Sequence, residues 1–253
     1  MITIDASAPV TTLLIARPER RNALDHTGIR QLAAAIAAAA ADTPCRVLVI
    51  KGAGDTFCSG RDLEEADASL SLGDLLAYDE AWSGVLHGLR ASSKPSLAVV
   101  RGHAVAGGFT LAMGCDFVIA EASARFGALE MRGGFPAAVN IAILTELVGR
   151  RQALDYLLSD ATFPAEHLLQ AGLINRVAAT AAELEQIERE LTARLARLDP
   201  VAVKLTMETA RIAATLPVAE AIVVGRNLNA LLMSSGRITE ARQRHARRPR
   251  GAT

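Results

Sequence analysis

The chain has 253 residues, 51% of them hydrophobic and 21% charged, with Lys+Arg and Asp+Glu both at 27. That length fits one large domain, or a domain with a smaller appendage, and the composition excludes a disordered chain. Zero net charge excludes a global field that would draw the protein to nucleic acid or to a membrane surface.

In chain order, Ile2 to Ile4 and Val10 to Ala16 read as strands, and Thr27 to Ala41 as an alanine-rich helix. Val47 to Lys51 reads as a strand and Leu72 to Leu89 as a helix. Leu97 to Val100 and Asp116 to Ala120 are strand-like, with Phe109 to Met113 helical between them and Ile141 to Leu147 helical after them. This alternation predicts an α/β fold with largely parallel strands. From Ala181 the strands stop. Glu183 to Leu198, Pro200 to Ala214 and Val218 to Ser234 read as successive helices, with breaks at Asp199-Pro200 and Leu216-Pro217. The expected division is therefore an α/β core over 1–180 and a helical region over 181–253.

Cys45, Cys58 and Cys115 are sparse, odd in number and without a paired spacing, which argues against a disulfide framework and for a reducing compartment. No carboxylate or histidine stands at ligand spacing beside them, so no metal is expected. The N-terminus lacks the pattern of a secretory signal, and even the block Ala33 to Ala41 is too short to span a membrane. A cytoplasmic location is expected. The basic tail from Arg237 to Arg250 reads as a solvated terminus; without aromatics beside its arginines, it makes a poor nucleic-acid site.

Chemistry concentrates in Lys94 to Asp116, KPSLAVVRGHAVAGGFTLAMGCD. A strand, a short loop and the pair Gly107-Gly108 at a helix start make an anion site, because the first helical amides lack internal partners. A reaction that builds charge on an oxygen would use such amides as an oxyanion hole.

Four segments together resemble the crotonase superfamily, the enoyl-CoA hydratase/isomerase family. They are Arg17 to Leu24 (RPERRNAL), Phe57 to Leu63 (FCSGRDL), Lys94 to Asp116, and Phe126 to Glu130 (FGALE). The resemblance implies a crotonase-like spiral of ββα turns with a C-terminal helical trimerisation region, giving a homotrimer or a dimer of trimers. It implies an acyl-CoA thioester as substrate, with CoA entering as part of that substrate and no separate cofactor. The thioester carbonyl would be held by the amides of Arg61 and Gly107. Contacts to CoA would come from Arg21, Ala23, Ser59, Gly60 and Gly108, with Arg20 near the phosphates and Arg247 or Arg248 as further phosphate contacts. Fixed donors that stabilise an enolate more than a neutral thioester accelerate proton transfer beside it.

Two departures from the family pattern matter. Two-carboxylate hydratases carry a glutamate just after the glycines, where this chain has Thr110; only the second glutamate is present, as Glu130. A threonine hydroxyl holds water but is no carboxylate base near neutral pH. A single glutamate suffices to move a proton between carbons, as in the family's double-bond isomerases, and some family hydratases retain one. The second departure is the shorter run Met131 to Ala138, which reshapes the acyl pocket around candidates Phe109, Leu129 and Phe135.

A pairing of Glu130 with Arg125 or Arg132 is the structural alternative to catalysis. Arg61 reads either as a surface contact or as a cation for a CoA phosphate or an acidic acyl group, and Asp62 as a turn or cap. His103 reads as a backbone partner. His26, His87, His167 and His245 stand without a recognisable nucleophile motif, and Glu64, Glu65, Asp67, Asp74 and Tyr78 fall where the acyl pocket is shaped. The alternatives kept open are a hydrolase or decarboxylase on the same scaffold, and an acyl-CoA-binding paralogue without activity.

Overall fold

The computed structural model describes residues 1–62, 70–234 and 236. The candidates Glu64, Glu65, Asp67, His245, Arg247 and Arg248, and nearly all of the basic tail, lie outside the described residues.

The first compact unit runs from Met1 to Pro200. Its main sheet has the order β1 (Ile2–Asp5), β2 (Val10–Ile15), β3 (Val47–Gly52), β4 (Ser96–Val100), β6 (Phe117–Glu121), β9 (Arg176–Ala178). Only β1 and β2 are antiparallel; the other pairs are parallel, as the alternation predicts. The central strands have continuous apolar sequence because both faces are covered. Leu48, Ile50, Ala98, Val100, Val118 and Ala120 face one core. Their neighbours Val47, Val49, Leu97, Val99 and Ile119 face a second core with Leu184, Leu191 and Leu195. The period of two in strand side chains thus divides one sheet between two cores.

Helix α1 (His26–Ala41) begins where Asp25 accepts from the Gly28 amide at 2.7 Å. It buries Ile29, Leu32, Ala35, Ile36 and Ala39 at helical spacing. Helix α2 (Leu72–Ala91) starts with a reciprocal Ser71–Asp74 capping box and buries Trp82, Val85, Leu86 and Leu89. Helix α6 (Ala181–Ala196) closes the opposite face of the sheet. This contact explains where the chain divides. The sequence sets the helical region apart at 181, but α6 buries its leucines on the core, and the second unit begins at Val201. That unit contains nearly all of α7 (Pro200–Ala213) and α8 (Val218–Ser234).

A small second sheet is not anticipated by the sequence reading. It joins β5 (His103–Val105), β7 (Arg125–Gly127) and β8 (Phe163–Pro164). These strands are too short for a period to be visible. They nevertheless place α3 (Gly107–Met113) and the turn at Glu130, since Val105 is in register with Gly127 and the Ala106 amide donates to Gly127 O at 2.8 Å. Helix α4 (Ala138–Leu158) extends well beyond Ile141 to Leu147 and is interrupted at Gly149. Helix α5 (Ala165–Gln170) completes the set.

Candidate active site

The RPERRNAL segment acts through its architecture. Asn22 is fully buried with left-handed φ of 55°, and both polar atoms of its side chain are hydrogen-bonded. Nδ2 donates to Ala53 O at 2.9 Å and to Thr56 O at 2.6 Å, while Oδ1 accepts from the Arg17 amide at 2.9 Å. Arg17 Nη1 binds Asp62 at 2.7 Å and lies 3.5 Å from Asp25. Asp62 is therefore a clamp for the segment Phe57 to Asp62, beyond the turn role expected of it.

Leu24 forms a parallel bridge with Arg61. Its amide donates to Gly60 O at 2.8 Å, and its carbonyl accepts from Asp62 N at 2.9 Å. Such a bridge engages the residues on either side of Arg61 and turns the Arg61 amide away from Leu24. The Ser59 amide is occupied by Arg21 O at 3.1 Å. Ala23 is buried, Ser59 half-buried, and Arg21 is exposed with φ of 52°.

Gly60 and Gly107 abut. A Cβ on Gly60, whose φ is +94°, would fall 2.7 Å from Gly107 N. A Cβ on Gly108 would fall 2.0 Å from Cys58 O, so the start of α3 sits directly on the Phe57–Asp62 segment. Phe109 and Thr110 both donate to Ala106 O, at 2.9 and 3.2 Å, leaving the Gly107 amide ahead of the first helical bond. Trp82 of α2 backs this contact, with its ring 3.1 Å from the position of a Gly107 Cβ. Gly107 adjoins Gly60, the residue before Arg61, and neither the Arg61 nor the Gly107 amide has a backbone acceptor among the described residues.

Glu130 opens the 3-10 turn Glu130–Gly133 after β7. Its Oε1 accepts from Asn140 Nδ2 at 2.9 Å, and its Oε2 is buried without a hydrogen-bond partner among the described residues. Burial raises its pKa above the ordinary carboxylate value, against the opposing effects of its own backbone amide, Asn140 and the positive Arg61. The pairing with Arg125 or Arg132 does not form: Arg132 binds Asp160 at 2.6 Å, and Arg125 has no ion pair among the described residues. Thr110 is 2% exposed, with its hydroxyl 3.4 Å from Ala106 O.

The Arg61 side chain pairs with Asp79 and lies over the Tyr78 ring at 5.1 Å, and Tyr78 stacks on His26. Phe109 is core, edge-on to Phe126, whereas Phe135 is exposed and Leu129 half-buried. His103 contributes its backbone carbonyl to the Phe57 and Cys58 amides. Burial pushes the Cys58 thiol up to about 12, which keeps it a neutral packing group. The sequence reading missed Asn140, Asp79 and Trp82. A polar residue just ahead of the predicted helix Ile141 to Leu147 is the only signal for Asn140, and nothing local marks the others.

The sequence profile of the family described as enoyl-CoA hydratase/isomerase matches residues 5–249. The chain belongs to this family. The 2,3-dehydroadipyl-CoA hydratase of Escherichia coli strain K12 is 33% identical over 89% of this chain and 88% of its own length. A solved enoyl-CoA hydratase subunit of Geobacillus kaustophilus is similar at a TM-score of 0.87 and 30% identity, covering 99% of this chain and 97% of that one. A Thermobifida fusca protein solved in complex with acetoacetyl-CoA is similar at a TM-score of 0.82 and 31% identity, over 92% of this chain and 95% of that one. The α/β spiral expected from the four segments is the fold of this family.

Proposed function

We propose that the protein is an acyl-CoA enzyme of the enoyl-CoA hydratase/isomerase type that forms a thioester enolate with Glu130 as its single proton carrier. The observation that carries this reading is a buried, unpartnered carboxylate oxygen on the turn that follows the strand pairing beside the Arg61 and Gly107 amides. The thioester oxygen would accept from those two amides, with the CoA portion of the substrate against Arg21, Ala23, Ser59, Gly60 and Gly108. No cofactor beyond the CoA of the substrate is required for this chemistry.

With Thr110 in place of a second carboxylate, the reaction that needs Glu130 alone is a proton shift. Glu130 takes a proton from C2 of a 3-enoyl-CoA, the dienolate oxygen is held by the amides, and the same proton returns at C4 to give the 2-enoyl-CoA. The names of relatives, such as the dehydroadipyl-CoA hydratase, support a second reading. In it, Glu130 takes a proton from water as the oxygen adds to C3 of a 2-enoyl-CoA, and returns that proton to C2. Turnover of 2-enoyl-CoA and 3-enoyl-CoA by the parent and by Glu130→Gln separates these readings, and undiminished turnover in the variant removes Glu130 from both.

The protein is further proposed to act as a homotrimer or a dimer of trimers. Exposed Val218, Ile222 and Leu231 on α8 support a face that a neighbouring copy covers. A cytoplasmic location accords with three buried free cysteines. No helix among the described residues is long and apolar enough to cross a membrane.

A further inference from the structure

We propose that Asn140 is a positioning residue that fixes which oxygen of Glu130 carries the proton; the proposal rests on the proton-carrier reading above. Asn140 lies in the first turn of α4 and is 3% exposed. Its Nδ2 meets Glu130 Oε1 at 2.9 Å, while Oε2 has no partner among the described residues. An ionised carboxylate only accepts, so the amide must present Nδ2 rather than Oδ1 to it. The two carboxylate oxygens thereby become unequal. Oε1 is anchored by a charge-assisted bond to a rigid helix, and Oε2 is the oxygen left to take and return a proton.

The same bond lowers the proton affinity of the site, alongside the Glu130 backbone amide. Burial drives the Glu130 carboxyl toward its neutral form, and the Asn140 donor opposes this by favouring the carboxylate. The other charge facing Glu130 is Arg61, which is itself tied to Asp79 of α2 and stacked on Tyr78. On its own turn, Arg132 is committed to Asp160. Asn140 is thus an uncharged counterweight to burial, favouring the ionised base without an ion pair that would block Oε2.

The test uses the full-length enzyme with 2-enoyl-CoA and 3-enoyl-CoA, comparing Asn140→Leu, Asn140→Asp and Glu130→Gln. Asn140→Leu is expected to lower kcat on the order of 10-fold through loss of orientation, with KM changed by less than about twofold. The acid limb of its kcat/KM profile is expected to move to higher pH. Asn140→Asp keeps the shape and places a second carboxylate against Glu130, so it should move the limb the same way and further. A folded Asn140→Leu protein with the parental kcat and acid limb overturns the proposal. If that variant does not fold, a parental profile in Asn140→Asp overturns it equally. Parental behaviour of both Asn140 variants, with turnover lost in Glu130→Gln, refutes the positioning role alone. Full turnover in Glu130→Gln instead refutes the proton-carrier reading beneath it.

Discussion

Replacing Gly60 by alanine inserts one methyl group where the segments that carry the two proposed oxyanion donors touch. Its Cβ would fall 2.7 Å from Gly107 N, where ordinary contact begins at 3.4 Å, so the segments must part by roughly 0.7 Å. Ala106 Cβ at 3.2 Å and Gly107 Cα at 3.3 Å close the other directions of escape. The φ of +94° adds strain for any residue with a Cβ, about 1–3 kcal/mol. Displacing a fixed donor by this amount is expected to lower kcat on the order of 10²-fold. Stopped assays with 2-enoyl-CoA and 3-enoyl-CoA give kcat, and thermal unfolding gives the stability loss separately. Gly172→Ala is the control. Its φ of +76° imposes comparable strain, but a Cβ there meets nothing within 4 Å, so stability should fall while kcat holds. A folded Gly60→Ala enzyme with parental kcat would refute the assignment of Gly107 and Arg61 as donors.

Glu130→Gln should lower turnover by about 10²–10⁴-fold. It should also stabilise the protein at alkaline pH. Burial raises the folded-state pKa of Glu130, so the folded chain binds more protons and parental stability falls as pH rises from the ordinary carboxylate range through the raised value. Melting temperatures across pH should therefore show a gain above that window that vanishes in acid; a gain confined to acid contradicts the sign. Arg61→Ala retains its backbone amide but removes a charge that favours ionised Glu130, so the acid limb of kcat/KM should move to higher pH. A limb that stays in place would show that the guanidinium does not act on Glu130. Arg17→Ala removes the cation at buried Asp62 and should cost about 1–3 kcal/mol in urea denaturation, with partial recovery in Arg17→Lys. An unchanged denaturation midpoint would mean that Arg17 does not hold the segment.

The sequence by itself determined β1, β2, β3, β4 and β6 of the main sheet and the helix α1, because these leave a local signature: β3 and β4 as mainly apolar runs, and α1 as apolar residues at helical spacing, whereas the three-residue β9 left none. It also singled out Gly60, Gly107 and Glu130 through their family segments, and showed that Thr110 stands where a second carboxylate is usual. The domain boundary was less legible, since the leucines of α6 read alike whether they cover a sheet or another helix. Tertiary structure alone decided how the site residues meet. The short strands β5 and β7 put Glu130 beyond the segment that precedes α3, the Leu24–Arg61 bridge turns one amide away from its neighbours, and Asn140 reaches Glu130 from the next helix. The physical reason is range. Periodicity and capping are local and are written in adjacent residues, whereas the orientation of an amide or the solvation of one carboxylate oxygen depends on groups brought together only when distant segments pack.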